Sequence, residues 1–219
     1  MRRIASACLV GLLVAACGLA PGGSTEPIPS GSPLTYDGSP ATGTPAPTVT
    51  IKDGTADLTD AQGRKVTKNA LVDITGLSGS AADGKLNLKL LLAGAVPKSL
   101  SSKKQALTYR FVLETNRSGA YDFWLTLSNN PAGKWVVTLV DYRPGGQTYV
   151  GSDFQGTLAA SGSSIVASIP LWVLGSPSTI RIAALAQRVD DAAKKLVAAD
   201  HVPKRSADTP GNDWLIIGR

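Results

Sequence analysis

The sequence predicts a mainly β protein: an antiparallel β-sandwich of eight to nine strands with one short helix near the C-terminus, preceded by a disordered linker. Three observations lead there. Beyond Val49, apolar and polar residues alternate at period two in run after run, the signature of strands with one buried face. Between the runs lie clusters of Asp, Asn, Gly and Pro that suit tight turns. Before Val49 the chain is Gly, Pro, Ser and Thr with little that could build a core. Sheets with one apolar face must bury it against a second layer, which gives a sandwich.

The N-terminus carries Arg2 and Arg3 ahead of an uncharged stretch from Ile4 to Ala16 that includes Leu9, Val10, Leu12, Leu13 and Val14. This basic head and short apolar core match an export signal, and the stretch falls short of the ~20 residues a permanent membrane helix needs. Leu13-Val14-Ala15-Ala16-Cys17 resembles the lipobox of bacterial lipoproteins. The resemblance implies a signal peptide of residues 1–16, cleavage before Cys17, and acyl chains on that cysteine. Two or three such chains hold a protein durably at a membrane, where one would not. The chain has two cysteines, Cys8 and Cys17. Cleavage removes the first and lipidation consumes the second, so the exported domain is expected to be held by its core without disulfides. Roughly 170 residues follow the tether, enough for such a core.

Residues 17–48 read as a flexible Gly/Pro/Ser/Thr linker, with Pro21, Pro27, Pro29, Pro33, Pro40, Pro45 and Pro47 spread through it. Such a segment buries too little to offset its ordering entropy. Fully extended, about 30 residues at ~3 Å each would reach ~90 Å from the lipid.

Residues 49–219 read as the sandwich. Ala70, Val72 and Ile74 alternate in one run, and Leu86, Leu88, Leu90 and Leu92 in the next. Leu107, Tyr109, Phe111 and Leu113 follow, then Tyr121, Phe123, Leu125 and Leu127, then Trp135, Val137 and Leu139. Phe154 with Leu158, Ile165 with Ile169, Ile180 with Ile182, and Trp214 with Ile216 supply the remaining strands. Asp83-Gly84, Asn116–Gly119, Asn129–Gly133 and Pro144–Gly146 supply turns that tolerate positive φ. The Ala-rich segment Ile182–Ala199 places Leu185, Val189, Ala193, Leu196 and Val197 at helical spacing, which predicts a helix of about ten residues from Val189, stopped by Pro203.

The formal net charge is +6, of which Arg2 and Arg3 contribute two, and the remaining basic residues are scattered in pairs among aspartates. Nucleic acid is excluded as a partner on this pattern and on export. His201 is the one histidine and lacks cysteine companions, no serine sits in a Gly-x-Ser-x-Gly elbow, and no carboxylate pair is set apart. The expectation is therefore a protein that is not an enzyme, with hydrolysis a distant third reading. Calcium fits better: Asp53, Asp57 and Asp60 lie at the start of the domain, and Asp208, Asn212 and Asp213 just before its last strand. If the two ends adjoin, their oxygens suit a hard cation. For ligand contact, Trp124 and Tyr142 fall on the phase opposite to the core, as does Asp122, which is expected to face solvent or a groove.

Asp53–Asp57, Leu71–Thr75, Phe111–Arg117, Tyr121–Phe123, Ser168–Leu171 and Asp208–Trp214 occur in an order that resembles DOMON-like domains and family 9 carbohydrate-binding modules. The resemblance spans residues 50 to 219. It implies a jelly-roll-like sandwich, often with calcium near both ends of the domain, and sugar or haem binding in different members. Its calcium carry-over reaches Asp57 and Asp208, with Asp53 and Asn212 beside them. Glu114-Thr115-Asn116 departs from the acidic turn common in such domains, and the lone His201 disfavours haem. The functional expectation is a noncatalytic, extracytoplasmic binding module, lipid-anchored to a bacterial cell membrane, for carbohydrate and with structural calcium. The alternative is a structural or partner-binding envelope lipoprotein without a small ligand.

Overall fold

A computed structural model describes residues 47–66, 69–100, 105–116, 118–190, 195–203 and 213–218. The expected signal peptide, Cys17, nearly all of the linker, Asp208 and Asn212 lie outside the described residues. Among the described residues there are twelve strands: β1 (Val49–Lys52), β2 (Ile74–Ala82), β3 (Lys85–Leu92), β4 (Gln105–Glu114), β5 (Phe123–Asn129), β6 (Trp135–Asp141), β7 (Thr148–Val150), β8 (Thr157–Ser161), β9 (Ser164–Pro170), β10 (Thr179–Asp190), β11 (Lys195–Val202) and β12 (Leu215–Gly218). A short 3-10 helix, Leu171–Leu174, follows β9. No helix among these residues is long and apolar enough to cross a membrane.

All pairings between named strands are antiparallel. One sheet runs β1-β2-β3-β9-β8; the other runs β11-β10-β4-β5-β6-β7, with β12 also paired to β10. One edge of β10 is shared: Thr179–Ile182 pair with β12, and Ala184–Asp190 pair with β11. Most of the period-two residues do what their phase demands; Tyr121 instead packs outside the main core beside Trp124, and Ile216 is exposed while Leu215 and Ile217 enter the core. Tyr109, Phe111, Leu113, Phe123 and Leu125 from one sheet are buried in a common cluster with Leu77, Leu86, Leu90, Ile165 and Ile169 from the other. The Asp83-Gly84 turn joins β2 to β3 with φ of 51° and 70°, the left-handed pair that a two-residue hairpin uses.

Three further expectations need correction. The helix from Val189 is absent: β10 runs on to Asp190, and Lys195–Val202 return as β11. Alanine fits a helical stripe and a strand face equally, and Ala183, Ala184, Leu185 and Ala186 are buried on both faces of β10. A run apolar on both sides carries no period to separate the two structures. Second, Ala70 and Val72 precede their strand. The N–H groups of Val72 and Asp73 donate to the Asn69 carbonyl in a turn, and β2 begins at Ile74. Third, Phe154 lies in the turn before β8, although it is buried as expected.

The turns after β5 and β6 offer a graded test. Gly133 has φ +77°, and a Cβ there would strike the Leu100 carbonyl, whose own N–H donates to the Gly133 oxygen at 3.2 Å. Gly145 has φ +78° with open space around it. Gly145→Ala is expected to cost about 1 kcal/mol from backbone strain alone, and Gly133→Ala more than about 2 kcal/mol because a clash is added. Urea midpoints of the two variants check the order.

Candidate functional site

Two places in the fold collect chemistry. The first is acidic and lies where the β1–β2 edge of one sheet meets β11 of the other. Asp53 follows β1, and its N–H donates to the Thr75 carbonyl at 3.1 Å. Asp57 follows Ala56, which is left-handed at φ 63° and donates its N–H to the Asp73 carboxylate at 3.1 Å. From there the chain pairs with β11: Thr59 and Ala199 exchange both backbone hydrogen bonds, at 3.0 and 2.8 Å. Asp200 sits on β11 in the inward phase of Ala198 and Val202, and is 4 % exposed. It accepts from the Ile74 N–H at 2.7 Å and from the His201 N–H at 2.9 Å, so it bridges the two sheets.

One oxygen from each of Asp53, Asp57 and Asp200 falls within 4.8 Å of the others. A cavity of about 190 Å³ opens beside them, lined by Asp57, Thr59 and Asp200 with His201. Burial pushes the Asp200 carboxyl up to about 7; the Ile74 N–H opposes the rise, and the charges of Asp57 and Asp53 add to it. Hard divalent cations bind carboxylate oxygen at 2.0–2.6 Å, and three carboxylates supply the charge to match. The donor set therefore suits a divalent ion without specifying calcium. Sequence reasoning found Asp53 and Asp57. It missed Asp200, which it left just beyond the expected helix, and its C-terminal candidates, Asp208 and Asn212, lie outside the described residues.

The second place is aromatic, on the outer face of the larger sheet. Trp124, Tyr121 and Tyr142 form a triad with every pair of ring centroids 4.9–5.0 Å apart. The Arg110 guanidinium lies 3.9 Å over the Trp124 ring, a cation–π contact. Val112, Ala183 and Trp214 pack against this cluster from the side. Trp124 thus takes the outward phase expected of it but is partly buried, whereas Tyr142 is 45 % exposed. Burial raises the Tyr142 hydroxyl above its ordinary range, Tyr121 adds to this, and Arg110 opposes it.

Asp122 departs from its expected place facing solvent or a groove. It is 4 % exposed, and its carboxylate accepts from the Thr115 N–H at 2.6 Å, the Thr115 hydroxyl at 2.7 Å and the Asn116 amide at 2.8 Å. Its carboxylate holds the β4–β5 turn. Tyr142 is fixed in turn by its N–H, which donates to the Asp122 carbonyl at 2.8 Å.

A third ring is the most exposed large apolar side chain among the described residues. Trp172, in the 3-10 helix, is 60 % exposed. Its element touches the Tyr142 turn: Arg143 donates to the Leu174 carbonyl at 3.3 Å while holding Asp141 at 2.7 Å and stacking over Phe123 at 4.3 Å. The stretch Ile169–Gly175 reads as a packed strand end, and nothing local in it signals that Trp172 points outward.

No protein-family profile and no curated protein matches the chain. One solved structure does: a "putative carbohydrate-binding protein" from Bacteroides uniformis, at 9% sequence identity over 79% of this chain and 86% of that one, with a TM-score of 0.37.

Proposed function

We propose that this chain is a noncatalytic binding module, anchored by lipid on Cys17 to a bacterial cell membrane, that presents its sandwich to an extracytoplasmic carbohydrate polymer. The observation that carries the reading is the pair of exposed rings, Tyr142 and Trp172, on elements tied together by the Arg143–Leu174 hydrogen bond. Flat rings held on rigid turns offer apolar faces to the C–H face of a sugar at little entropic cost. A divalent ion among Asp53, Asp57 and Asp200, with Ca2+ the first candidate, is a structural cross-link in this reading and takes no part in recognition.

Calorimetric titration of the chain with cell-wall and plant polysaccharides tests it. One or more glycans are expected to bind. Trp172→Ala and Tyr142→Ala should each weaken that binding about tenfold. Because Trp172 is so exposed, Trp172→Ala should leave stability within about 0.5 kcal/mol. No heat across the panel would sink the carbohydrate reading. The second reading, a partner protein of the envelope, rests on the same exposed Trp172, since such rings are enriched at protein interfaces. Crosslinking from position 172 in native membranes separates the two: a reproducible protein neighbour, lost in Trp172→Ala, supports the partner.

A further inference from the structure

The sandwich is not filled at one side. Between the edge strand β8 and strands β5 and β6 of the facing sheet lies a cavity of about 560 Å³, within the ~300–1,000 Å³ typical of small-molecule sites. Leu127, Trp135 and Val137 line it from one sheet, and Leu158 and Ala160 from the other. Trp135, Val137 and Ala160 pack against the core yet stay only partly buried. Side chains from the two sheets should interdigitate there, and they leave a gap instead.

The gap is built rather than slack. Segment 96–100 is strapped across its end by three hydrogen bonds: the Val96 N–H donates to the Gly162 carbonyl at 2.9 Å, the Trp135 indole N–H to the Pro97 carbonyl at 3.0 Å, and the Leu100 N–H to the Gly133 carbonyl at 3.2 Å. The strap joins the β8–β9 turn of one sheet to the β5–β6 turn of the other.

We infer that this cavity binds a single-chain amphiphile with an anionic head. The walls are mainly hydrocarbon, and the indole N–H beside them is already spent on Pro97, so the interior offers few hydrogen-bonding groups to sugar hydroxyls. An alkyl chain loses nothing there and gains burial. The charged group lining the site is Lys98, which is exposed and makes no ion pair among the described residues, and no carboxylate is among the described lining. That places positive charge at the mouth, where a carboxylate or phosphate head would sit in water beside it. The site is separate from the aromatic triad: Trp124 points out from the sheet whose inner face carries Leu127 and Val137.

Titration of the full chain with palmitate, with palmitoyl lysophosphatidate and with neutral monopalmitin, each below its micelle concentration, tests the inference. At least one anionic probe is expected to bind at one per chain, palmitate alone identifying a free fatty acid and lysophosphatidate alone a lysophospholipid. Monopalmitin should bind about fivefold more weakly, the effect of one exposed charge pair. A brominated palmitate should quench tryptophan fluorescence, and Trp135→Phe should remove most of that quenching. Lys98→Glu, a surface change that leaves the core intact, should weaken the anions but not monopalmitin. Ala160→Phe should block all three by filling the gap. Absence of binding by both anions, or equal binding of monopalmitin, or indifference to both Lys98→Glu and Ala160→Phe in folded protein, overturns the inference.

Discussion

Calcium added to the chelator-treated chain at about a hundred times its dissociation constant should stabilise the fold by about 2.7 kcal/mol. For a domain of this size that is a rise of roughly 5–10 °C in the thermal midpoint, read by scanning calorimetry. The expectation follows from the position of the three carboxylates. Asp53 and Asp57 belong to the loop after β1, and Asp200 to strand β11 of the other sheet. An ion shared by them exists only while those strands are docked. Asp57→Asn should cut the shift to near zero. A midpoint indifferent to Ca2+ and Mg2+ in protein verified free of metal would remove the ion from the account.

The same carboxylates give the metal-free protein a pH signature. The Asp200 carboxyl is raised from 3.8 to about 7 in the fold, with burial the largest cause. The folded state therefore keeps a proton that the unfolded state has released. Stability linked to this group is full below about pH 4 and falls as pH rises towards about 7, by at most ~1.4 kcal/mol per unit. Bound calcium replaces the proton and should flatten that slope. Midpoints measured across this window in chelator and in calcium check the sign.

Phe123→Ala should cost about 3–5 kcal/mol, a large fraction of what a domain of this kind has to spare. The ring is wholly buried at the start of β5 and packs in the core cluster. Its loss also removes the surface on which the Arg143 guanidinium rests, 4.3 Å away. Arg143 spans Asp141 and the Leu174 carbonyl, so the damage should reach the Tyr142 turn and the Trp172 element together. Arg143→Ala removes the link but no core, and should cost about 1 kcal/mol while still lowering glycan affinity. Urea unfolding separates the two; a Phe123→Ala loss below about 1.5 kcal/mol would mean the site closes over the missing ring.

The sandwich was legible because most strands have a clean period. Leu86, Leu88, Leu90 and Leu92 alternate with Asn87, Lys89 and Leu91, and all four are buried. β1 and β7 are edge strands of four and three residues, too short to display a period. β11 was hidden for another reason, since alanine has no preference of face. That one ambiguity also hid Asp200, because a residue beyond a supposed helix cannot be placed opposite Asp57. The triad partners Trp124 and Tyr142 were visible by phase alone. The exposure of Trp172 was not, since it depends on where the 3-10 helix leaves the sheet.

The shared edge of β10 bears on how incomplete chains behave. Leu215–Gly218 satisfy the backbone of Thr179–Ile182, beside Trp214, which closes over Val112 and Ala183. A chain lacking residues 213–218 would bare four residues of strand edge next to an apolar face. Unpaired edges of that kind recruit other strands, and the nearest supply is another truncated copy. Loss of this short strand should therefore show first as self-association, before any effect on ligand binding is read.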